Sequence, residues 1–174
     1  MVNFMRKITI SALFLALGIV LPFFTGQIPE IGSMLCPMHL PVLLCGMVCG
    51  WKYGLIVGLV TPILRSAIFT MPVMYPNAVA MSFELATYGL VSGLIFRLIK
   101  KPTLNTYLAI IISNVLGRVV WILAMYGLFF LFEDVNINTV SFIGLFISSW
   151  PGIVLQLVII PIIVRIFRKI AVIR

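Results

Sequence analysis

The chain has 174 residues, of which 63% are hydrophobic and 9% charged, and its mean hydropathy is +1.25; these values exclude a soluble domain and fit an integral membrane protein. Twelve lysines and arginines against four acids give a net charge of +8, which in a soluble chain would suggest nucleic acid; here the charges sort along apolar spans, and no nucleic-acid partner is expected. Apolar segments of about 20 residues recur throughout and leave no room for a soluble domain, so residues 1–174 read as one all-α membrane domain.

Punctuation by Pro, Gly and charge predicts six spans. The first, near residues 8 to 24, follows Arg6 and Lys7 as a signal peptide would, but no small-x-small cleavage site precedes a hydrophilic stretch, so it is expected to be retained. It carries Ala12 and Ala16 in an A-x-x-x-A pattern. The loop TGQIPEIGSMLCPM then leads into a span near 37 to 50, short enough to be tilted or partly re-entrant, with His39 between Pro37 and Pro41 at its start. Proline suits the first turn of a helix, where its missing N–H costs little, so these prolines mark an entrance. The remaining spans lie near 53 to 70, 78 to 97, 106 to 131 and 140 to 165.

Placing the N-terminus in the cytoplasm puts Arg6, Lys7, Lys52, Arg97, Lys100, Lys101, Arg165, Arg168, Lys169 and Arg174 inside, and Glu30, Glu133 and Asp134 outside. The positive-inside rule is then obeyed, which predicts a single bundle of six transmembrane helices with both termini cytoplasmic. A five-helix reading would put Lys100 and Lys101 on the wrong side.

Arg65, Glu84 and Arg118 fall inside spans, where a charge costs a few kcal/mol or more unless paired or hydrated. At 1.5 Å per residue, Arg65 lies roughly 18 Å above the cytoplasmic start of its helix and Glu84 roughly 9 Å below the external start of the next. Together with Arg118 they are expected to meet in the middle-to-outer part of the bundle. Asn114, Arg118 and Trp121 form one stripe by helical spacing, and Asn77, Glu84 and Tyr88 another. The last helix adds Ser149 and Gln156, with Trp150 and Pro151 nearby. One reading is that these groups only join the helices to one another, with Glu84 pairing Arg65 or Arg118. The other starts from the fact that one carboxylate cannot neutralise two guanidinium groups. The surplus charge then favours an anionic ligand clamped by Arg65 and Arg118, with Trp121, Tyr88 and Trp150 as apolar walls.

His39 reads either as an interfacial anchor or as a substrate contact. Its C-x-x-H spacing from Cys36 completes no zinc pattern, because Cys45 and Cys49 lie deeper in an apolar helix, so no metal is expected. No cofactor is expected either. The G-x-x-x-G pairs Gly46/Gly50, Gly54/Gly58 and Gly89/Gly93, with Ala12/Ala16, serve either to pack the bundle against itself or to leave a flat docking surface. The run GMVCGWKYG lacks the spacing and hydroxyl of a phosphate loop, and no hydrolase motif is present, so the chain is not read as an enzyme. It shows neither the polar rings of a channel nor the internal repeat of a secondary transporter.

In its length, six spans, A-x-x-x-A motif and the runs CPMHLPVLLCG, YGLIVGLVTPILRS and FELATYGLVSGL, nearly the whole chain resembles the substrate-binding S components of energy-coupling factor transporters, prokaryotic vitamin importers of the cytoplasmic membrane. The resemblance implies a high-affinity outward-facing site capped by the loop Thr25 to Met38. It also implies that Ala12 and Ala16 dock on a transmembrane scaffold subunit driven by two ATPases. It does not name the vitamin; the arginine excess points to an anion such as pantothenate, with riboflavin or a pyridoxine or pyrimidine precursor open. The alternative is a membrane-embedded enzyme or assembly factor using the same polar centre.

Overall fold

The computed structural model describes residues 2–25, 37–99, 104–131 and 150–169. Their elements are α1 (Val2–Val20), extended by a 3-10 turn (Leu21–Thr25), then α2 (His39–Cys49), α3 (Trp51–Phe69), α4 (Val79–Leu98), α5 (Leu104–Leu131) and α6 (Trp150–Lys169), with no strand among the described residues. Five of the six helices are long and apolar enough to cross a membrane, and α2 is the shorter exception. Each predicted span holds a helix. Residues 140–149 of the last span and residues 26–36 of the first loop, with Cys36, Glu30 and Ser149, lie outside the described residues.

The 11 residues of α2 are all buried, against α1, α3, α4 and α6. A helix covered on every side by others need not match the hydrocarbon thickness itself; α2 reaches only about 16 Å, against about 30 Å for the apolar layer. Gly50 ends α2 and begins α3 with φ at +106°. Nothing lies within 4 Å of where its Cβ would be, so glycine is needed there for backbone conformation and not for space.

Close packing of α3 on α4 sets the register of the bundle. A Cβ on Gly54 would sit 2.6 Å from the Gly89 carbonyl oxygen, and Gly58 abuts the Leu85 carbonyl. At the same interface Gly93 lies against the Trp51 backbone, and Gly46 of α2 against Gly89 and Ser92. The Ser92 hydroxyl lies 3.3 Å from the Leu43 and Gly89 carbonyls, each able to accept its one proton. In lipid, where apolar side chains gain little by leaving their surroundings, such backbone contact supplies the dispersion energy that holds helices together. The pairs Gly54/Gly58 and Gly89/Gly93, with Gly46, therefore pack the bundle against itself, while Gly50 serves the turn between α2 and α3. The alanine pair does neither: α1 turns Ser11, Phe14 and Gly18 inward, while Ala12 and Ala16 are exposed.

Arg6, Lys7, Lys52, Arg97 and Arg165 are exposed, and the up-and-down course of the helices gathers them at the end of the bundle that holds the start of α1 and the end of α6. At that end Arg168 donates to Asn105 Oδ1 at 3.0 Å and lies over the Phe96 ring. Asn105 in turn donates to the Phe96 and Ile99 carbonyls, which closes the last turn of α4 and fastens three helices. At the opposite end α3 stops at Thr70, whose φ is 59° and whose N–H donates to the Ser66 carbonyl. The chain then passes through a wide turn at Met74–Ala78, interrupted by extended backbone at Tyr75, before α4 begins at Val79.

Candidate functional site

Glu84 stands on the inward face of α4 and is 1% exposed. A carboxylate at that depth needs several donors, and three side chains converge on its Oε1. Arg118 Nη1 of α5 lies at 3.2 Å, the Tyr88 hydroxyl one turn along α4 at 3.4 Å, and His39 Nε2 of α2 at 3.6 Å. The His39 ring also meets the Tyr88 ring edge-on at 4.8 Å. Glu84 thus lies beside the side chain of the first residue of α2.

A second polar layer lies one turn away from Glu84. The Tyr88 hydroxyl is 3.3 Å from Asn114 Oδ1; having one proton, it can donate to Asn114 or to Glu84 at any instant. Asn114 Nδ2 donates to the Ile110 carbonyl at 2.9 Å and to Gln156 Oε1 of α6 at 3.0 Å. Three helices therefore contribute to one hydrogen-bonded network: α4 through Glu84 and Tyr88, α5 through Asn114 and Arg118, and α6 through Gln156; His39 of α2 stands beside it, both ring nitrogens without a hydrogen-bond partner among the described residues. Tyr88 fits flat against α5 because residue 117 is glycine; a Cβ there would lie 2.7 Å from the ring.

Arg65 is placed differently. It is 6% exposed, its guanidinium lies over the Phe23 ring at 5.9 Å, and its Nε has no hydrogen-bond partner among the described residues. Phe23 packs edge-on against Phe69 at 4.7 Å. Gly54 faces Gly89 and Gly58 faces Leu85, so the antiparallel register puts Arg65 level with Ala78, six residues or about 9 Å beyond Glu84 along the bundle axis. Glu84 is the one carboxylate among the described residues, and its partner is Arg118.

Two predicted members stand apart from the network. Asn77 is exposed: it belongs to the wide turn before Val79, so the 3.6-residue period that places Glu84 and Tyr88 does not extend back to it. Trp150 is 60% exposed, at the first residue of α6. Trp121 is buried with Ala80 and Met125, on the part of α5 level with the gap between Arg65 and Glu84. Phe23, Phe69 and Gly117 were missed by the sequence reading. Phe69 stands four residues from Arg65, a readable helical spacing, whereas Phe23 and Gly117 acquire their roles through tertiary contact alone.

Comparison with curated proteins and with solved structures gives no match. A family model described as "ECF transporter, substrate-specific component" matches residues 6–164, a range that holds all of α2 to α5, most of α1 and α6, and every residue of the polar network. The chain belongs to the substrate-specific components of ECF transporters, multi-pass membrane proteins that bind a small molecule for transport.

Proposed function

We propose that this chain is the high-affinity substrate-binding subunit of an ATP-driven importer for an anionic vitamin or related micronutrient, with pantothenate first among the candidates. It acts in the prokaryotic cytoplasmic membrane with both termini on the cytoplasmic side, beside a scaffold subunit and two ATPases. The observation that carries the anionic reading is the buried charge: two guanidinium groups, Arg65 and Arg118, accompany one carboxylate, Glu84, among the described residues. A single uncompensated positive charge at that depth is costly, and a bound carboxylate or phosphate would remove the cost. His39, Asn114, Gln156 and Tyr88 supply hydrogen-bonding groups, and Trp121 an apolar wall. The exposed Ala12 and Ala16 form the surface for the scaffold subunit, since small side chains let another helix approach closely.

The test is to purify the chain in mild detergent, denature it, and identify by mass spectrometry any small molecule released in stoichiometric amount. An anionic micronutrient is expected. Release of an uncharged or cationic compound would refute the anionic reading, and a protein that neither carries nor binds any vitamin would refute the reading as a whole.

A further inference from the structure

The two buried arginines do different work. Arg118 already has its counter-charge, because Glu84 Oε1 lies 3.2 Å from Nη1. Glu84 also has His39 Nε2 at 3.6 Å, so the one carboxylate among the described residues is already engaged, while both His39 ring nitrogens stay without a hydrogen-bond partner there and are open to a polar group of a guest. Arg65 has no such complement: its Nε is buried with no partner among the described residues, and its face is covered by Phe23. Among the described residues the surplus positive charge therefore sits at Arg65, about 9 Å from Glu84 along the α3–α4 register.

Resting on the reading that this centre takes a substrate, we infer that the substrate is an elongated acid: its anionic group pairs with Arg65, and a neutral tail bearing hydroxyl or amide groups reaches Glu84 and the Asn114–Gln156 layer. Arg118 is then a positioning residue that holds Glu84, and it does not contact the anion. The Phe23–Phe69 pair beside Arg65 shields the ion pair from water, which strengthens a charge-assisted hydrogen bond. A short acid filling only the Arg65 end leaves the polar layer unserved, so it binds weakly.

The experiment titrates the purified protein with pantothenate, biotin and nicotinate, each compared with its primary amide, alongside riboflavin and pyridoxine. An acid long enough to span the two ends is expected to bind, with its amide about 100-fold weaker, as the loss of a buried ionic hydrogen bond implies. In Arg65→Gln the acid-to-amide ratio should collapse to near one. In Arg118→Gln both ligands should weaken while the ratio persists, a pattern that a general loss of structure does not produce. Arg65→Lys, which keeps the charge, should retain part of the preference and serves if Arg65→Gln does not fold. A ratio that collapses in Arg118→Gln, or survives in Arg65→Gln, overturns the inference. Tight binding of riboflavin or pyridoxine, with none of the acids, overturns it while leaving the chain a vitamin-binding subunit. No binding across the panel, with no small molecule released on denaturation, overturns the underlying reading as well.

Discussion

Replacing Glu84 or Arg118 alone should destabilise the bundle far more than replacing both. Glu84 is 1% exposed and the Arg118 side chain 12% exposed, so either single change leaves the other charge buried. Removing one member of a buried ion pair costs about 3–5 kcal/mol, whereas replacing both by uncharged groups of similar volume is often close to neutral. With 1 kcal/mol corresponding to about 2–4 °C for a chain of this size, each of Glu84→Gln and Arg118→Gln should lower the unfolding midpoint by about 6–20 °C. Of the two, Arg118→Gln should be the costlier, because it strands the more deeply buried charge. Glu84→Gln combined with Arg118→Met should recover at least half the loss. The assay is thermal unfolding of ligand-free protein in detergent, followed by the loss of the monodisperse peak in size exclusion. Two single variants within 1–2 °C of the parent, or a double variant whose loss is the sum of the singles, would refute the reasoning that this pair is a buried, mutually dependent unit.

Gly89→Leu should abolish correct folding, since any side chain at 89 collides with the Gly54 backbone; expression as a monodisperse species in detergent checks it. Gly117→Ala, whose Cβ would meet the Tyr88 ring at 2.7 Å, should displace Tyr88 and weaken ligand affinity by about tenfold, the equivalent of one lost hydrogen bond, with calorimetric titration as the readout. Ala12→Trp lies on the exposed face of α1, so binding by the purified subunit should be unchanged while uptake by cells carrying the complete transporter stops. Gln156→Leu removes the acceptor of the Asn114 Nδ2 bond and should cost about 1–3 kcal/mol of stability.

Much of the architecture was legible because it follows from hydropathy and punctuation. The spans, the brevity of α2 and its entrance at His39 depend on local composition, and each span holds a helix, the start of the last one lying outside the described residues. The partners of the charges were not legible. Whether Glu84 meets Arg65 or Arg118 is decided by the register of α3 and α5 against α4, and that register is set by glycine contacts whose partners no spacing rule names. The same holds for the small-residue motifs: four look alike as strings, yet Gly54/Gly58 and Gly89/Gly93 face inward against backbone, Gly46/Gly50 divides between a helix contact and a turn, and the alanine pair faces out. Asn77 fell out of its stripe because the period was carried through a turn that interrupts it. Trp150, read as a wall from its place beside Ser149 and Gln156, stands 60% exposed at the first residue of α6, and nothing in its neighbourhood in sequence decided which way the helix start would point.

The joining of α3 to α4 through bare backbone also limits how this protein can move. With no side chain between Gly54 and Gly89, there is no rotamer to flip and no compressible layer to slide over, so the two helices behave as one rigid spar. Any rearrangement that admits or releases cargo must then be borne by neighbours that meet the spar through side chains. Among these neighbours α1, held by Phe14 and by the contact of Gly18 with Thr61, is one that can swing.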